Sequence, residues 1–237
     1  MTADLTGAGE VGSTSRDKLA TRVFLVLHDP FTGKPLLRAS AVRLAVAGAE
    51  LAELALARPD RGQMIACEND RVVLAEARPR RVDYIAAFVV DSIRSQPEAH
   101  PAMVWTAALA ERVFDLAATQ LINDGVVQRE AGRTLFGRGT RRYPALDLLA
   151  AAGPRVRLEH ALRSGAELDE PSAVCLAVLA AVGGDRTLDV DRATRRQRIA
   201  PITDALPLDL RSLVTGIEVA HTSGELPQSV RLRTSDK

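Results

Sequence analysis

Apolar residues recur at helical spacing over most of the chain, and turn chemistry punctuates them. Leu19, Val23, Val26 and Leu27 repeat at three- and four-residue intervals between Asp17 and His28, and the following Asp29-Pro30-Phe31-Thr32-Gly33-Lys34 is a turn, so a first helix ends there. Ser40 offers a cap for a second helix running to about Ala57, with Val42, Val46, Ala49, Leu51 and Leu54 inward and Pro59-Asp60-Arg61-Gly62 as its stop. Gln63 to Cys67 and Arg71 to Ala77, joined by Glu68-Asn69-Asp70, predict a β-hairpin. Val82 to Ser95 and Pro101 to Asp124 predict two more helices, the second closed by Gly125. From Val126 to Phe136 the pattern fits two short strands about a glycine-containing turn. Helical patterning then returns over about 144–164, 171–182, 189–204 and 207–220. The fold class is mainly α: one domain over 17–220 with two β-hairpins, between a Gly-, Ser- and Thr-rich flexible arm at 1–16 and a polar tail at 221–237.

Composition narrows the setting. The 237 residues are 46% hydrophobic, enough for a sizeable core. The longest run without a charged or strongly polar residue, Ala173 to Gly184, falls well short of the roughly 18 to 20 residues a spanning helix requires. With no basic and apolar leader and two widely separated cysteines, the expectation is a reduced, cytoplasmic protein. A net charge of +1 gives the whole molecule no electrostatic pull toward nucleic acid or membrane, so only local charge can supply one. Of the 31 basic residues 28 are Arg, which together with abundant Ala is the composition of a high-GC bacterial sequence.

Catalytic constellations do not emerge. Gly7-Ala8-Gly9-Glu10-Val11-Gly12 matches a dinucleotide fingerprint only formally, because Met1 to Thr6 is too short and polar to be the strand that must precede it. His28, His100, His160 and His221 lie in separate segments with no partner at ligand spacing, so neither a metal site nor a cofactor is expected. Cys67 and Cys175 fall in apolar elements and are assigned to packing. Glu50 with Glu53, and Asp189 with Asp191, are assigned to solvated faces or caps, and the protein is expected not to be an enzyme.

The second hairpin concentrates charge. Arg129, Arg133, Arg138, Arg141 and Arg142 are opposed there by Glu130 alone, and Leu135 and Phe136 sit among them. Guanidinium groups beside apolar side chains suit an element that lies on an anionic bilayer, with cations at phosphate and Phe136 at the acyl boundary. A second run, Arg186 to Arg198, is interleaved with Asp185, Asp189 and Asp191 and fits a solvated helix face. A winged-helix DNA reader would need a basic groove face, and Ala107 to Leu121 offers only Arg112, so no nucleic acid is expected.

The ordered set of Leu19 to Asp29 with its turn through Gly33, Gly48-Ala49-Glu50-Leu51-Ala52-Glu53-Leu54-Ala55-Leu56, and Leu121-Ile122-Asn123-Asp124-Gly125-Val126-Val127 resembles the Golgi phosphoprotein 3 family over roughly residues 17 to 220. The resemblance implies a central bundle of about four helices surrounded by amphipathic helices, and a projecting hairpin. It also implies a peripheral membrane protein that binds an anionic headgroup, phosphatidylinositol 4-phosphate in the eukaryotic relatives, beside a hairpin used for membrane insertion and self-association. Their pocket's Trp and Arg from the second helix fall here on Arg38 and Ala47, and its two helix arginines on Glu111 and Phe114, with Arg112 one residue and ~100° further round. The headgroup residues expected are therefore Arg38, Arg112, Arg133, Arg138, Arg141 and Arg142, with Leu135 and Phe136 inserting. At about 1 kcal/mol for each arginine near a charged leaflet, four or five support reversible binding. The competing expectation is a soluble adaptor that oligomerises or binds partners through the same hairpin.

Overall fold

A computed structural model of the chain describes residues 18–57, 62–75, 83–131 and 141–224. Its first helix, α1 (Leu19–Val26), is buried on every residue but Arg22. No side chain of its own caps it. Instead, the Leu19 amide donates to Glu53 Oε2 at 3.3 Å, so a carboxylate from the next helix serves the helix start.

That next helix, α2 (Ala39–Ala55), is the axis of the bundle, with 13 of its 17 residues buried. Small side chains let neighbours close in. A Cβ on Gly48 would stand 2.3 Å from Ile217 Cδ1, so the Ile217 side chain of the last helix packs into the space that glycine leaves on α2. Burial on all sides takes Glu50 and Glu53 with it, which corrects their assignment to a solvated face. Ser40 is not the cap either. Arg38 holds that position and makes no side-chain capping bond.

The chain then forms β1 (Ile65–Glu68) and β2 (Arg71–Leu74), joined through Asn69 and Asp70 at φ 50° and 60°. Asn and Asp tolerate this left-handed turn, whose twist matches paired strands. A short third strand, β3 (His100–Pro101), adds antiparallel to β2 where the sequence suggested only a helix start. Between them lies α3 (Tyr84–Arg94), capped by Asp83, whose Oδ1 accepts from the Ile85 and Ala86 amides.

α4 (Ala102–Asn123) runs beside α2 and buries Trp105, Leu109, Val113, Phe114 and Leu121. It stops at Gly125, φ +67°, where the Gly125 amide donates to Ile122 O and the Val126 amide to Leu121 O. That is the paired C-terminal closure that glycine allows.

The second hairpin follows. β4 (Glu130–Ala131) pairs with β5 (Arg141–Arg142), and Val127 bridges Ala145 beneath them. The partner of Ala131 is thus Arg141, whereas the sequence placed the return arm within Val126 to Phe136, about a turn at Gly132. Residues 132–140 lie between the arms, outside the described residues.

α5 (Leu148–Ser164) starts four residues later than expected, because Pro144 to Asp147 are engaged in backbone bonds at the hairpin base, and Asp147 caps it by accepting from the Ala150 amide. α6 (Glu170–Ala181), a 3-10 turn at Gly184–Thr187, α7 (Arg192–Asp204) and α8 (Leu208–Ser223) complete the fold. α8 takes in three residues of the expected polar tail, and the arm at 1–16 lies outside the described residues. Arg155 of α5 donates to Val26 O and Thr187 O, tying the end of α1 to the 3-10 turn. The architecture is the mainly helical one anticipated, with α1, α2, α4 and α8 at its centre and two small antiparallel sheets at its edge.

Candidate functional site

The base of the second hairpin is built on the turn after α1. Asp29 organises that turn: its Oδ1 accepts from the Thr32 amide and hydroxyl, both at 2.7 Å, and these bonds hold its carboxyl below the usual range. Two carbonyls of the turn then receive the hairpin's return arm. The Tyr143 amide donates to Gly33 O at 2.9 Å and the Ala145 amide to Pro30 O at 2.8 Å. Gly33 sits at φ +64°, and a Cβ there would lie 2.1 Å from the Pro144 nitrogen. Only glycine allows this approach.

Under the clamp lies an aromatic cluster. Phe24 stacks on His28 at 4.2 Å between ring centroids, and Phe114 and Tyr143 close around them at 5.1 and 5.2 Å from Phe24. His28 donates from Nδ1 to the Phe24 carbonyl at 2.7 Å, and burial lowers its pKa to about 4. The neutral ring is a packing group. Phe114 is therefore committed to the core at one of the two α4 positions where a headgroup arginine was considered.

Above the cluster, α4 shows a charged edge. Glu111 and Asp115, one turn apart, each hold an arginine from a different element: Arg43 of α2 meets Glu111 at 3.0 Å, and Arg141 of β5 meets Asp115 at 2.8 Å. Asp115 is also the main reason the Arg141 pKa is raised, with Tyr143 next. Arg43 spreads over the Phe114 ring at 5.9 Å. Both pairs are partly exposed, so each contributes at most about 1 kcal/mol, and they hold the two guanidinium groups in place along α4. A cleft of about 300 Å³ opens beside this edge, lined by Ser40, Arg43, Leu44, Met103, Ala107 and Glu111.

The expected site residues separate into three groups. Arg141 and Arg142 stand side by side on β5, Arg141 exposed and Arg142 half-buried with Glu130 as its strand partner, and Arg38 is exposed at the start of α2. Arg112 goes elsewhere. Its guanidinium lies over the Phe88 ring of α3 at 5.9 Å. Arg133, Arg138, Leu135 and Phe136 fall outside the described residues. Sequence reasoning missed Arg43 and Asp115. The i, i+4 spacing of Glu111 and Asp115 was a signal for two receptive carboxylates on one face, but nothing local paired them with α2 and β5.

Cys175 is fully buried, which pushes its thiol up to about 12 and leaves it no nucleophilic form at neutral pH. Among the described residues no three His, Cys, Asp or Glu side chains converge as metal ligands, and no helix is long and apolar enough to cross a membrane.

The family model described as Golgi phosphoprotein 3 (GPP34) matches residues 19–216. Comparison with curated proteins finds no match.

Proposed function

The chain belongs to the Golgi phosphoprotein 3 family, and from that premise we propose that it is a non-catalytic, peripheral membrane protein that binds anionic lipid headgroups around its basic hairpin. The observation that carries this reading is the clamp at Gly33, which fixes Arg141 and Arg142 at an exposed edge beside Arg43, with Arg38 exposed at the start of the same helix as Arg43. Arg129, Arg133 and Arg138 of the same hairpin add to that charge. Anionic phosphate is the ligand such a surface attracts, and phosphoinositides present the most of it per headgroup. With Glu111 paired to Arg43 and Phe114 in the core, recognition rests on the hairpin arginines rather than on an arginine pair along α4. The setting that follows is cytoplasmic, on a membrane face.

Co-sedimentation with neutral and anionic vesicles tests the reading. Binding should require anionic lipid, weaken steeply with salt, and fall by about thirtyfold or more on joint substitution Arg38→Glu and Arg141→Glu. Equal binding to both vesicles, or none to either, would remove it. Light scattering on a deletion of 130–134 examines the adaptor reading, which predicts loss of oligomer with lipid binding retained.

A further inference from the structure

Several large apolar side chains left in water follow the clamped backbone on both of its segments. Phe31 is 75% exposed and Leu149 88%, with Leu146 at 58% between them in the chain's path. Pro30 O receives the Ala145 amide, and Phe31 and Leu146 each follow one member of that pair, while Leu149 lies in the first turn of α5. The turn cannot fold its aromatic back. Asp29 and Thr32 bond side chain to backbone, Gly33 N donates to Asp29 O at 2.8 Å, and Asp29 N donates to Lys34 O at 2.9 Å. A rigid turn thus holds a phenyl ring in water where it contributes nothing to the core, which is how surfaces meant for an apolar partner are built.

Charge indicates which partner. Lys34 and Arg38 are exposed next along the chain, and Arg141 and Arg142 lead directly into the clamped Tyr143. Asp29 and Asp147 each have a carboxylate oxygen taken by a backbone amide, of Thr32 and of Ala150, and Asp115 is paired with Arg141, which leaves Lys34 and Arg38 as the exposed cations nearest Phe31 in the chain. Apolar tips rimmed by cations fit an anionic bilayer, with rings below the phosphates and cations level with them. We propose that the Phe31 turn and the first turn of α5 form a second, apolar contact that enters an anionic bilayer beside the hairpin. This rests on the lipid-binding reading above and assigns it a contact outside the hairpin.

The test uses the full chain and phosphatidylcholine vesicles with and without phosphatidylserine. Joint substitution Phe31→Ser and Leu149→Ser should weaken binding to anionic vesicles about tenfold while leaving the salt dependence unchanged, because apolar area and not charge is lost. Phe31→Trp should shift its emission to the blue on anionic vesicles and be quenched by brominated acyl chains, against a buried and silent Trp105. Undiminished binding of the double variant, or an unshifted Phe31→Trp, with the parent protein still bound, overturns this inference and leaves the lipid reading standing. No binding of the parent to either vesicle overturns both. Loss of self-association in place of vesicle binding would assign the patch to a second copy and overturn the bilayer assignment.

Discussion

The two hairpins are held in opposite ways. The β1–β2 hairpin stabilises itself: Ile65 and Val72 are fully buried, its two-residue turn is closed by Asn69 and Asp70, and β3 covers one edge. Among the described residues the β4–β5 hairpin pairs Glu130 with Arg142 and Ala131 with Arg141, and Glu130, Ala131 and Arg141 are exposed. Its burial lies underneath, in Val126, Val127 and Tyr143, and its direction is set by carbonyls of a turn more than a hundred residues earlier. A hairpin that needs its side chains for the core cannot also offer them to a ligand. One standing on a pedestal can, and Arg141 on the second is exposed.

The strongest way to break this contrast is at the pedestal. Gly33→Ala puts a Cβ against the Tyr143 and Pro144 backbone at positive φ, and should cost roughly 3 kcal/mol in urea unfolding. Gly125→Ala, also at positive φ but with open space around it, should cost only about 1 kcal/mol. Hydrogen exchange should show the Tyr143 and Ala145 amides losing protection while β1 and β2 keep theirs.

Next in size is pH. Burial holds His28 neutral down to about pH 4, whereas the unfolded chain binds a proton near 6.5, so the unfolded state carries more protons between these values. Stability from this source is complete above about pH 6.5 and falls as pH drops toward 4, by about 3 kcal/mol across the window. His28→Gln, which does not titrate, should flatten that part of the stability curve and unfold less readily than the parent at pH 4.5 relative to pH 7.5.

The smallest change sharpens the contrast most selectively. Asp115→Asn releases Arg141 from an exposed ion pair, and stability should move by no more than about 0.5 kcal/mol. Affinity for anionic vesicles should rise about fivefold, roughly the gain from one unscreened guanidinium at a charged leaflet. A fall in affinity would show that the pair positions Arg141 more than it occupies it.

Most of the helices were legible because their apolar spacing, caps and terminal glycines are local signals, and Asp191, read as a cap, does accept from the Thr194 amide. The departures share one cause. Glu50 and Glu53 carry charge on a helix that is buried all round, and Glu53 is explained by the Leu19 amide 34 residues away. The return arm of the second hairpin was placed too early because local turn chemistry favours Gly132, while Gly33 and Pro30 fix the register from across the fold. Arg43 and Asp115 stayed out of view for the same reason, being ordinary helix-surface residues until β5 and α4 are brought together. Local spacing did carry information about Arg112, which stands one residue round from Glu111 and lies against α3.

The Gly33 clamp also makes the hairpin base a reporter of distant folding. Because the Tyr143 and Ala145 amides are taken by the Gly33 and Pro30 carbonyls, a label on the return arm senses whether the turn behind α1, more than a hundred residues upstream, has closed.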